Sequence, residues 1–123
     1  MRELREPEEP DEIAPDGSEV RVLLATAVAS TATFRLPAGA VSAAVRHHTI
    51  TELWYVVAGR GLLWRADAEG ERLTDLEPGV QLDIPPATAF QFRVGPDAEL
   101  RVFGVTMPPW PGQSEAEPVP GHW

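Results

Sequence analysis

The sequence predicts an all-β domain closed into a barrel or sandwich. Many short runs rich in β-branched and aromatic residues recur along it, Gly- and Pro-containing turn signals separate them, and no window keeps a helical period over ten residues. Val20–Leu24 and Ala32–Leu36 are the first two runs, and Pro37-Ala38-Gly39 punctuates after them. Ala40 to Val45 reads as a strand leading into Arg46-His47-His48. Leu53-Trp54-Tyr55-Val56-Val57 is bulky, aromatic and β-branched, hence strand. Gly59-Arg60-Gly61 then turns the chain tightly into Leu62-Leu63-Trp64, which predicts a hairpin. Further turns are signalled at Ala68–Glu71, Glu77-Pro78-Gly79, Pro85-Pro86 and Gly95-Pro96-Asp97. Between them lie strands over Val80–Ile84, Thr88–Val94 and Leu100–Met107.

Three segments follow from the composition. Residues 1–18 are Pro- and Glu-rich and carry a net charge of −5, which predicts a disordered or loosely draped arm. Residues 19–107 form the barrel. Residues 108–123, with five prolines and two tryptophans, predict an extended tail pinned to the barrel by Trp110 or Trp123. The 123 residues suffice for one sizeable core and not for two. Net charge is −9, all ten cations are Arg, and no basic patch is present. That balance speaks against nucleic acid and anionic membranes as partners. No apolar run of membrane-spanning length occurs, and the acidic start is not a secretory leader, so a cytoplasmic protein is expected. Without cysteine there is no disulfide, thiolate metal site or Cys nucleophile. No Gly-rich phosphate loop is present, and the serines have no neighbouring base, which argues against a Ser-His-acid hydrolase.

One stretch carries more information than the rest. Arg46-His47-His48-Thr49-Ile50-Thr51-Glu52, followed by six residues and Gly59, resembles the first motif of the cupins, in which His-x-His precedes a Glu and, six residues on, a Gly. Pro78-Gly79 and Pro85-Pro86-Ala87 resemble the frame of the second cupin motif. The likeness spans about residues 20–107 and implies a double-stranded β-helix, or jelly-roll, barrel with a pocket inside it. It also implies a divalent metal (Fe, Mn, Ni, Cu or Zn) held by three His and one Glu. The chain departs from that pattern. Arg46 stands where the first His belongs and Phe90 where the second-motif His belongs. His48 and Glu52 remain, with His47 as a recruit if a bulge turns it inward. Guanidinium has no lone pair to give, and open catalytic sites usually use three protein ligands, so no cofactor is the expectation and a metal on His48, Glu52 and His47 the alternative.

Strand parity places Arg46, His48 and Glu52 on one inward face. The expected site is therefore Arg46 gripping an anionic or carbonyl oxygen and keeping Glu52 ionised, with His48 and Glu52 moving protons. Trp54, Phe90 and Phe92 share the inward parity as aromatic wall, and Gln81 and Asp83 join them if the second-motif frame holds. The function expected is a small bacterial enzyme acting on a small organic substrate by proton transfer, of isomerase, cyclase or dehydratase type. A metal-dependent dioxygenase or lyase and a non-catalytic ligand-binding or sensing module are the alternatives. Sheets with open edges tend to pair, and a homodimer through the strands near Val20–Ala25 and Phe34–Leu36 is expected.

Overall fold

A computed structural model describes residues 1–123. The chain forms eleven strands: β1 (Glu12–Ile13), β2 (Glu19–Ala25), β3 (Ser30–Leu36), β4 (Val45–His47), β5 (Thr51–Ala58), β6 (Gly61–Asp67), β7 (Gly70–Leu76), β8 (Gln81–Ile84), β9 (Ala89–Val94), β10 (Leu100–Met107) and β11 (Ala116–Pro118). A single 3₁₀ turn at Gln113–Glu115 interrupts the strands. No helix is long and apolar enough to cross a membrane. Two antiparallel sheets face each other, one ordered β1-β2-β3-β10-β5-β8 and the other β11-β4-β9-β6-β7. This is the jelly-roll arrangement expected of the sequence.

Alternation explains which residues fill the space between the sheets. Along β5, Glu52, Trp54 and Val56 are buried while Leu53, Tyr55 and Val57 are exposed. Along β10, Leu100 and Val102 point in, and Gly104 lies so close to the Phe34 ring that a Cβ would come within 2.4 Å of it. Trp54, Leu63, Phe90, Phe92, Val102 and their neighbours form one contiguous core. Trp54 meets Phe92 and Phe90 edge-on, with ring centroids 5.3 and 6.1 Å apart. The hairpin at 59–61 needs its glycines. Gly59 has a left-handed φ of 84°, and a Cβ there would sit 2.2 Å from the Glu99 carbonyl oxygen.

The two terminal segments are laid onto the barrel. The N-terminal arm, expected to be disordered or loosely draped, is draped but fastened. Its Pro7 and Glu8 carbonyls accept hydrogen bonds from the Arg21 guanidinium, and Glu6 accepts from Thr33 Oγ1 and Arg35. Asp11 accepts from the Val22 amide, and β1 pairs with β2. Arg21 therefore grips the arm by its main chain, and the Glu6–Arg35 pair adds an opposite-charge contact between arm and barrel. The tail runs back across the second sheet and adds β11 to β4. Glu115 caps the bend at residues 48–50: its carboxylate accepts the amides of Thr49 and Ile50 and the Thr49 hydroxyl, and is held below the usual carboxylate range by them.

Candidate functional site

A cavity of about 290 Å³ opens between the sheets at one end of the barrel. β2, β3, β4, β5, β9 and β10 supply its walls, the arm residues 12–16 lie along one side and tail residues Pro109, Trp110 and Gln113 along another. Most of the lining is apolar, with Val20, Ala32, Phe34, Val45, Phe90 and Trp110 among it. The ionisable groups that line it are Glu12, Asp16, His47 and Glu52, and no Arg does.

His47 and Glu52 form the centre. Both are about 95% buried, at 5% and 4% relative exposure. His47 Nδ1 lies 3.4 Å from Glu52 Oε2, and the other carboxylate oxygen accepts the Trp54 indole N–H at 2.7 Å. His47 packs edge-on against Phe90 and Trp110, with centroids 5.1 and 5.4 Å away. Its Nδ1 has no well-formed hydrogen bond. Burial drives the two groups in opposite directions. It pushes the Glu52 carboxyl up to about 8, against the Trp54 hydrogen bond, with the Asp16 charge adding to the rise. It pushes the His47 imidazole down to about 4, against the pull of Glu115. At neutral pH the pair is therefore a protonated acid beside a neutral base, and not an ion pair.

Asp16 lines the same cavity. It is buried, both of its hydrogen bonds come from Ser18 to Oδ1, and burial raises its carboxyl above the ordinary range. Ser30 and Thr106 add a hydroxyl pair, with oxygens 2.5 Å apart, and Ser30 Oγ also accepts the Trp110 amide.

The structure brings together only part of the expected constellation. Glu52 and Phe90 line the cavity, and Trp54 and Phe92 stand behind it in the core. Arg46 and His48 do not enter. Arg46 turns outward to pair with Glu117 of β11, and His48 is exposed. The reason is the bend at His48-Thr49, which ends β4 before β5 begins and breaks the even count from 48 to 52. Within β4 the inward residues are Val45 and His47. With Arg46 absent from the interior, burial decides the state of Glu52. Gln81 and Asp83 also face outward, because the inward residues of β8 are Leu82 and Ile84, one position out of the expected frame. The alternation of apolar Val45 with His47 was the available signal for His47. Nothing in the arm's composition marked Asp16.

The donor set does not suit a resident metal. His47 and Glu52 are two donors, Phe90 occupies the place of a further His, and no group of three or more metal-ligating side chains comes together anywhere in the chain. A catalytic centre of the expected type needs at least three.

No family model matches the sequence, and no curated protein matches it. Solved structures do. A protein from Klebsiella pneumoniae with a double-stranded β-helix domain superposes with a TM-score of 0.69 at 15% identity, over 85% of each chain. The fold is the double-stranded β-helix. KdgF from a Halomonas species gives 0.67 at 19% identity, over 80% of this chain and 84% of that one. Oxalate decarboxylase from Bacillus subtilis gives 0.75 at 14% identity, and there the match covers 94% of this chain but 30% of the other. These likenesses carry the fold.

Proposed function

We propose that this double-stranded β-helix protein is a small-molecule enzyme of the cupin type that works by proton transfer in the cavity. Glu52 is the acid and His47 the base. One observation carries the reading: a carboxyl and an imidazole, buried side by side at 3.4 Å on a cavity wall, are driven apart in proton affinity so that at neutral pH the carboxyl keeps its proton and the imidazole stays neutral. Such separation is what a site needs to donate and accept protons at neutral pH. Trp54 fixes one oxygen of Glu52 and leaves Oε2 as the oxygen next to His47. Isomerisation, cyclisation and dehydration of a small organic substrate fit this equipment. The metal-dependent alternative is set aside on the donor set.

The test needs no known substrate. A panel of small carbonyl compounds with exchangeable α-hydrogens is incubated with the protein in D₂O and followed by NMR. Exchange faster than in buffer is expected for some members, and loss of it in both His47→Gln and Glu52→Gln. Exchange that persists unchanged in both variants contradicts the assignment.

A non-catalytic binding module is the second reading. The apolar lining favours it, since such a cavity holds a ligand by burial alone. Binding without exchange in any panel member would select it.

A further inference from the structure

Two buried carboxyl groups of the cavity, Asp16 and Glu52, have no counter-charge within the protein. Glu52 Oε2 faces a neutral imidazole at 3.4 Å, and the one hydrogen-bond donor of the barrel that reaches this carboxyl is the Trp54 indole. Asp16 takes both of its hydrogen bonds on Oδ1, leaving Oδ2 unengaged. Other shielded acids are matched. Glu6 meets Arg35 and Thr33, Glu115 meets the amides of Thr49 and Ile50, and Glu117 meets Arg46. The cations that could have served are committed elsewhere: Arg46 to Glu117, Arg21 to the arm, Arg65 to Asp83. Asp16 and Glu52 are themselves about nine-tenths or more buried, and the His47 ring lines the same cavity.

The geometry points to an organic ammonium ion as the occupant, its charge between Asp16 and Glu52 and its apolar body against Phe90 and Trp110. This rests on the cavity being the binding site proposed above. An ammonium group beside Glu52 favours its ionised form, so that the carboxyl, protonated on its own at neutral pH, gives up its proton to solvent on binding. A buried carboxylate is stable where an opposite charge and hydrogen bonds reach it, and the ammonium supplies both. Aromatic side chains attract the same charge through their π faces. Trp110, Phe90 and Phe34 all line the cavity. The approach is graded in the same sense, because the chain carries −9 overall and the arm beside the opening carries −5, with Glu12 on the cavity wall. A carboxylate ligand finds no cation inside.

Three probes that share a phenethyl skeleton and differ in charge test this on the full chain at pH 7: phenethylammonium, 2-phenylethanol and 3-phenylpropanoate. Affinities come from NMR titration, and shifts of the Trp110 indole resonance locate the site. The ammonium is expected to bind about tenfold or more tightly than the alcohol, and the carboxylate most weakly. Asp16→Asn and Glu52→Gln should each shrink the ammonium's advantage several-fold while the alcohol still binds, and Ala32→Phe, which fills the cavity, should abolish binding of all three. Alcohol or carboxylate binding at Trp110 as tight as the ammonium's overturns the inference and leaves the cavity as a binding site. An ammonium preference that survives Ala32→Phe without Trp110 shifts is surface attraction and also overturns it. Failure of all three probes to move Trp110 counts against the binding site itself.

Discussion

The opposed shifts of His47 and Glu52 set how stability should depend on pH. Each proton whose binding differs between folded and unfolded chain changes stability by about 1.4 kcal/mol per pH unit. The folded Glu52 carboxyl titrates at about 8 against 4.5. Between those values the unfolded chain binds fewer protons, so Glu52 lowers stability as pH rises through that window. The folded His47 titrates at about 4 against 6.5. Between those values the unfolded chain binds more protons, so His47 raises stability with pH. From pH 4.5 to 6.5 the two slopes cancel. From 6.5 to 8 only the Glu52 slope remains, and it removes roughly 2 kcal/mol. Asp16, also raised, adds a decline that begins above its ordinary 3.8. The assay is urea unfolding followed by tryptophan fluorescence at half-unit steps from pH 4 to 9. Glu52→Gln should lose the alkaline decline relative to the wild type, by about 2 kcal/mol between pH 6.5 and 8. His47→Gln should uncover a continuous fall from pH 4.5. A wild-type curve that stays level to pH 8.5, or a Glu52→Gln curve parallel to it above 6.5, would refute the neutral-pair assignment.

Other consequences are checked more simply. Trp54→Phe removes the indole donor to Glu52 Oε1, and should cost about 1–3 kcal/mol in thermal or urea unfolding while raising the apparent Glu52 pKa further. Glu115→Ala strips the Thr49 and Ile50 amides of their acceptor, and should cost about 2 kcal/mol and make hydrogen exchange at those amides faster. Elemental analysis after growth with added Fe, Mn, Ni, Cu and Zn should find no stoichiometric metal; one equivalent of any of them retained through purification counts against the two-donor argument. Light scattering should give a dimer mass; since β1 already pairs with the β2 edge and β3 lies inside the sheet, the surface it would cover shifts from the strands near Val20–Ala25 and Phe34–Leu36 to Leu53, Tyr55 and Val57 on the outer face of β5, and a monomer at micromolar concentration rejects this.

The barrel was legible because its signals are local. The Gly59-Arg60-Gly61 turn, the alternation through Leu53–Val57 and the Gly-Pro breaks each act within a few residues, and the structure has strands where they fall. The site was legible only where a single strand carried the count. Glu52, Trp54, Phe90 and Phe92 are inward because β5 and β9 are unbroken. Arg46 and His48 were misplaced because the count crossed a bend that Glu115 holds from 66 residues away in sequence. A long-range cap of that kind leaves no local trace. Asp16 was invisible for a related reason. Its segment reads as solvated chain by composition, and it is held by the β1–β2 pairing, the turn from Ala14 to Ser18 and the Ala43 amide on the Asp16 carbonyl, the last a contact far away in sequence. For the outward turn of Gln81 and Asp83 the cause is the frame itself: Ile84, fully buried, sets β8 one residue out of the motif register.

The positions of the two terminal segments bear directly on the site. A bare jelly roll with this sequence would leave His47 and Glu52 at an open end, where water would solvate the carboxyl and hold it near its usual proton affinity. Trp110 from the tail covers the His47 ring, and Asp16 from the arm stands near enough to raise Glu52 by its charge. Both segments are fastened by polar contacts at the barrel surface, the arm through Arg21 and Arg35 and the tail through Glu115 and Glu117. The chemistry ascribed to the pair thus depends on contacts outside the strands that carry it. Arg46 is the clearest instance. In the motif frame it stands in place of a ligand, and in the structure it anchors β11 through Glu117, so that the residue lost to the pocket helps hold the tail that closes it.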